Sequence, residues 1–145
     1  MHKVSVSYGD VISFLDVDTD FEAHRFKIYM DKNTGRLIRV FDRAEDAVTE
    51  GLPAGENSRI KREIRDCRWN YKQLSAPDHA TVHRWFREFL KSLDRLDTYF
   101  GSIGGWLKEH GDDERREAWG EFRRQKVIEA LTLSCDLSGI KVVVS

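Results

Sequence analysis

Ala80-Thr81-Val82-His83-Arg84-Trp85-Phe86-Arg87-Glu88-Phe89-Leu90-Lys91-Ser92-Leu93 repeats its apolar residues with the pitch of a helix. Val82, Trp85, Phe86, Phe89, Leu90 and Leu93 fall at i, i+3, i+4, i+7, i+8 and i+11, and charged residues fill much of the space between them. That period marks an amphipathic helix with one broad buried face. Trp106, Trp119 and Phe122 carry the aromatic theme on towards Gly139. Residues 80–139 are therefore read as helical and as the main source of the core.

The boundaries follow from capping chemistry. Ser75-Ala76-Pro77-Asp78 fits a capping box with proline in the first turn, where its missing N–H does no harm. This predicts a helix running to about Asp94. Gly101, Gly104 and Gly105 interrupt, a short helix follows around residues 106–109, and Asp112 or Asp113 caps a long final helix. Gly120 inside that helix costs about 1 kcal/mol relative to alanine, which is read as a point of close packing. Gly139 is a C-terminal stop, and Ile140–Val144 reads as a terminal strand able to join a sheet.

Toward the N-terminus, Ser7 and Asp10 form a capping pair ahead of a helix over residues 7–17, with Val11, Phe14 and Leu15 on one face. The period then changes to two: Phe26, Ile28 and Met30 alternate with Arg25, Lys27 and Tyr29. Asp31-Lys32-Asn33-Thr34-Gly35 is turn chemistry, and residues 37–41 return as a second strand, so a hairpin is expected. Residues 43–56 carry little pattern and end in the loop Gly51-Leu52-Pro53-Ala54-Gly55. Ser58 is placed as the cap of a helix with Ile60, Ile64 and Cys67 on one face, and alternation of Trp69, Tyr71 and Gln73 predicts a third strand. The expected fold is α+β, one domain over residues 1–145, with a small antiparallel sheet of three or four strands packed by a helical C-terminal half.

At 145 residues with 40% hydrophobic and 11% aromatic content, the chain can bury a core without disulfides or metals. Two cysteines, Cys67 and Cys135, with no signal-peptide pattern near the start, are read as reduced cytosolic thiols. No apolar run is long enough to span a membrane. Twenty-four basic residues nearly balance 25 acidic ones, which argues against a surface wholly devoted to nucleic acid and leaves room for a local basic face.

Several groupings carry residue types used in catalysis or metal binding. Asp16-Val17-Asp18 follows an apolar run, as in haloacid-dehalogenase-type phosphohydrolases, where one aspartate attacks phosphorus and the other is the general acid. Gly111-Asp112-Asp113 echoes their later acidic motif, but Thr19 falls a residue early and helix capping explains the second pair. Asp16, Asp18 and Asp20 match the first ligands of a calcium loop, yet Phe21 and Lys27 occupy the places that require Gly and Glu. His79 and His83 stand one helical turn apart without a third ligand nearby, so they are read as packing histidines, with no metal or cofactor expected. Gly101-Ser102-Ile103-Gly104-Gly105 lacks the Lys-Ser/Thr of a phosphate loop and reads as an interhelical turn.

Two surfaces remain. Arg59, Lys61, Arg62, Arg65 and Arg68, followed by Trp69 and Tyr71, form a basic segment that could grip phosphates and stack bases, although Glu63 and Asp66 lie among them. In the final helix, Val127, Ile128, Leu131 and Cys135 are placed opposite a stripe of Ala118, Trp119, Phe122, Ala130 and Leu133. A helix apolar on two sides is buried between layers or half covered by a partner, here a second copy or another protein.

Two parts of the chain together carry a resemblance. Met30-Asp31-Lys32-Asn33-Thr34-Gly35-Arg36-Leu37-Ile38 resembles an L-D-x-x-T-G-x-[VI] hairpin signature. Trp85-Phe86-Arg87-Glu88-Phe89, Trp119-Gly120-Glu121-Phe122-Arg123 and Ser138-Gly139-Ile140 are similar to the M-x-x-F helix, W-x-x-F-[RK] helix and closing G-I of uncharacterised bacterial protein family number 0158. The chain departs from it at Ser102-Ile103-Gly104-Gly105-Trp106, which lacks the arginines of the family's Gly-Arg-Gly-Ala-Phe-Arg-Arg-Phe-like run. The resemblance implies an α+β fold and a bacterial, cytoplasmic setting, and brings no active site with it. The expected function is a non-enzymatic interaction or regulatory domain, with nucleic-acid binding by residues 59–71 as the rival and a magnesium-dependent phosphohydrolase as the remote alternative.

Overall fold

The apolar stripe forms a helix, His79–Ser92, in the computed structural model, which describes residues 2–17 and 25–145. Asp78 is its N-cap, with its carboxylate accepting from the Thr81 backbone N–H at 2.8 Å. Ser75 and Pro77 thus lie in the loop before the helix, which starts about one turn later than the capping box at Ser75 places it. Val82, Trp85, Phe86, Phe89 and Leu90 are buried, whereas Leu93 has passed the last turn and is exposed. Phe86 is met edge-on by Tyr99, Trp106 and Trp119 at centroid distances of 5.1, 5.6 and 4.9 Å. Edge-to-face contact sets the positive rim of one ring against the negative face of another. This cluster joins the helix to Ile103–His110, N-capped by Ser102, and to the long helix Asp113–Asp136, N-capped by Asp112.

The hairpin is present. Phe26–Asp31 pairs antiparallel with Leu37–Phe41, Phe26 facing Phe41 and Met30 facing Leu37. Asp31 closes the turn by accepting from the backbone N–H groups of Asn33 and Thr34 at 2.8 and 3.2 Å. Tyr71–Leu74 adds the expected third strand on the other edge of Phe26–Asp31, while Trp69 falls in the 3-10 turn Arg68–Asn70 before it.

Three features differ from expectation. Ile140–Val144 does not extend this sheet: it pairs in parallel with His2–Val6, a strand for which no pattern was read, and the two form a sheet of their own. Ala44–Thr49 is a short helix in the segment that had seemed unpatterned. The basic helix is Glu56–Asp66, and its N-cap position is Gly55 at φ 82°, not Ser58. In chain order the elements are β1 (His2–Val6), α1 (Tyr8–Leu15), β2 (Phe26–Asp31), β3 (Leu37–Phe41), α2 (Ala44–Thr49), α3 (Glu56–Asp66), β4 (Tyr71–Leu74), α4 (His79–Ser92), α5 (Ile103–His110), α6 (Asp113–Asp136) and β5 (Ile140–Val144). The fold is α+β, and α6 touches α1, α4, β4 and β5, so it is the beam on which both sheets and the helices meet.

That position corrects the two-sided reading of α6. Trp119, Val127, Leu131 and Cys135 are all buried. They stand four or eight residues apart and so share one face, which points into the core. Ala118 and Ala130 are exposed, Leu133 is strongly so, and Phe122 and Ile128 are half-buried along the flank. Val127, Leu131 and Cys135, offered as part of a partner surface, are interior residues of the chain itself. Gly120 is corrected as well: a Cβ there would meet only the movable guanidinium of Arg124, so no backbone crowds it. Among the described residues no helix is long and apolar enough to cross a membrane.

Candidate nucleic-acid interface

α3 is held by its inner face. Ile64 and Asn57 are buried, and Asn57 does the work of a missing strand neighbour. Its Oδ1 accepts from the Phe41 N–H at 2.8 Å and its Nδ2 donates to the Phe41 carbonyl at 3.0 Å. These two bonds satisfy the outer edge of β3 and fix the orientation of α3 above it. No sequence pattern pointed to Asn57, because an exposed and a clamped asparagine look alike along a helix.

With α3 so oriented, the five basic residues divide. Arg59 lies between Glu56 (2.5 Å) and Glu63 (3.2 Å), which uses its charge within the helix. Lys61 reaches sideways and donates to the Asp42 carbonyl at 3.1 Å. Arg65 contacts only its neighbour Asp66 at 3.2 Å, both side chains largely in solvent. Arg62 and Arg68 are exposed and make no ion pair among the described residues. Arg62 and Arg65 sit three residues apart on the outward face, and Arg68 opens the 3-10 turn that follows. Trp69 in that turn is 67% exposed, a large aromatic ring mostly in solvent. Tyr71, by contrast, donates to Glu63 Oε1 at 3.1 Å, and burial followed by that carboxylate pushes its phenol pKa up. Glu63 is therefore occupied by Arg59 and Tyr71, which leaves the outward face cationic. Of the five cations, Arg62, Arg65 and Arg68 face solvent beside Trp69, whereas Arg59 and Lys61 are engaged within the fold.

The other groupings take structural roles where they are described. Asp16 sits at the C-cap of α1, not at the end of a strand, and Arg123 holds its carboxylate at 2.6 Å. Asp18 and Asp20 lie outside the described residues. Asp112 spends its carboxylate on the Arg115 N–H at 2.8 Å. The His79 and His83 rings lie 4.2 Å apart at a tilt of 55°, and His83 Nδ1 bonds the Tyr99 hydroxyl at 2.6 Å. Among the described residues no group of three His, Cys, Asp or Glu side chains could hold a metal ion. In the glycine-rich turn Ser102 Oγ accepts from the Gly105 N–H at 3.0 Å, so that amide already has a partner.

No family model, curated protein or solved structure matches the chain.

Proposed function

We propose that the chain is a non-enzymatic binding domain of the bacterial cytosol, akin to uncharacterised family 0158, and that its partner is single-stranded nucleic acid. The observation that carries this reading is the pairing of Arg62, Arg65 and Arg68 with an exposed Trp69, while the apolar face first offered to a protein partner is buried. Guanidinium groups bind phosphate oxygens through paired N–H donors, and an indole stacks on any base regardless of sequence. The overall charge of −1 limits such binding to this one face. It also places affinity in the range where salt decides the outcome.

The test is anisotropy of a labelled single-stranded oligonucleotide titrated with the whole chain across a salt series. Binding should weaken as salt rises. Arg62→Ala with Arg65→Ala should lower the slope of log affinity against log salt by about 0.7 for each lost phosphate contact. Trp69→Ala should cost about 1–3 kcal/mol with little change in slope. Equal binding of polyglutamate, or insensitivity to Trp69→Ala, would assign the face to an acidic protein segment. No binding at low salt removes the proposal.

A further inference from the structure

On the side of the molecule where α1, β4, α4 and α6 converge, a cleft of about 610 Å³ opens to solvent. Its floor is apolar: Leu15 from α1, Trp85 from α4 and Leu131 from α6 are all buried beneath it. Its rim is polar. Lys72 comes from β4, Ser75 from the loop after it and Ser134 from the last turns of α6. None of these three side chains makes a hydrogen bond or ion pair to another described residue, whereas Asp78, the one carboxylate among the described lining residues, accepts from the Thr81 N–H. The cleft thus offers an apolar floor, with one uncommitted ammonium and two uncommitted serine hydroxyls at its rim. Ligand sites have this composition: mostly apolar walls of about 300–1,000 Å³, with a few convergent polar groups that set orientation.

We infer that this cleft binds a small amphipathic carboxylate, its apolar body on Leu15, Trp85 and Leu131 and its head on Lys72 with Ser75 and Ser134. The sign follows from the partners. Asp78 stays ionised, its carboxyl held below the ordinary pKa by the Thr81 bonds, but that charge is already engaged by the Thr81 N–H at the α4 end, and Lys72 is the only cation among the described lining residues. A neutral alcohol would gain the floor without the ion pair, and an amine would face Lys72 with like charge. β4 and α4 both pack against α6, so the walls of the cleft come from elements already in contact.

The experiment is calorimetric titration of the whole chain with sodium octanoate, octanol and octylammonium chloride. Octanoate should bind at least about tenfold more tightly than either analogue, as expected for one charge-assisted contact in a partly dry site. Lys72→Gln should remove that preference and leave octanol binding unchanged, while Lys141→Gln, an exposed lysine on β5 away from the lining, should behave as the wild type. Ala130→Trp should fill the cleft from the exposed flank of α6 and abolish binding of all three probes. Circular dichroism of each variant separates lost binding from lost fold. Equal binding of octanoate and octylammonium, a wild-type response from Lys72→Gln, or no octanoate binding at millimolar concentration would each overturn the assignment.

Discussion

Arg123 Nε donates to Asp16 Oδ1 at 2.6 Å, and its Nη2 reaches the Val17 carbonyl at 3.3 Å, so one guanidinium ties the end of α1 to the middle of α6 across 107 residues of sequence. Both side chains are mostly shielded from water, at 22% and 17% exposure, which keeps the pair from being screened as a surface pair is. An aspartate that could be read as a nucleophile is thereby a fastener. Asp16→Asn should destabilise the chain by about 1–3 kcal/mol in urea denaturation. The double variant with Arg123→Gln should cost less than the sum of the single changes, because the second substitution removes the charge that the first left unpaired. Additive losses would show that the two side chains act independently.

The Asn57 clamp predicts a second, sharper loss. Asn57→Ala leaves both the N–H and the carbonyl of buried Phe41 without partners and should cost about 2–3 kcal/mol. Asn57→Asp keeps the acceptor but sets a carboxylate oxygen against the Phe41 carbonyl, and at neutral pH should be at least as damaging. Amide hydrogen exchange should show the loosening first at Phe41, before global unfolding.

Two glycines should respond in opposite directions. Gly35 in the β2–β3 turn has φ 76°, and a Cβ there would run into the Ser5 carbonyl of β1. Gly35→Ala should therefore cost more than the roughly 1–2 kcal/mol of left-handed strain alone. Gly120 lies in the body of α6, where a Cβ would only displace Arg124. Gly120→Ala should stabilise by up to about 1 kcal/mol, or raise the melting temperature by roughly 3 °C. A destabilised Gly120→Ala would mean that Arg124 cannot give way.

Burial pushes the Tyr99 phenol above its ordinary value of 10.0, with Arg87 opposing weakly. Above pH 10 the unfolded chain sheds this proton before the folded one does, so the folded state holds more protons and stability falls as pH rises. The contribution is fully present below about pH 10 and is lost as pH climbs through the raised folded value. Tyr99→Phe also removes the 2.6 Å bond to His83. The variant should be less stable at pH 7 and show a shallower decline above pH 10 than the wild type. Tyr71, raised in the same direction, supplies a residual slope in both.

Patterns that repeat along one element were legible without coordinates. The α4 stripe, the Phe26/Ile28/Met30 alternation and the caps at Ser7 and Asp112 each depend on neighbours a few residues away, and each appears where its spacing put it. The α6 face shows the limit of that logic. Its apolar residues surround much of the helix, so periodicity admitted two buried faces, and only the packing of α1, α4, β4 and β5 around it selected the one containing Val127, Leu131 and Cys135. His2–Val6 was missed because only Val4 and Val6 mark its buried side, and its partner lies at the far end of the chain.

The sequence by itself determined the helical half, the hairpin and the presence of a basic segment, because helix pitch, strand alternation and turn chemistry are local properties of the chain. Tertiary structure alone decided that Asp16 meets Arg123, that Asn57 closes β3, that Gly35 must admit Ser5, and which arginines of α3 face solvent. The reason is the same in each case. A side chain's role is set by the groups that displace water from it, and those groups come from residues whose separation in sequence carries no information about their distance in space.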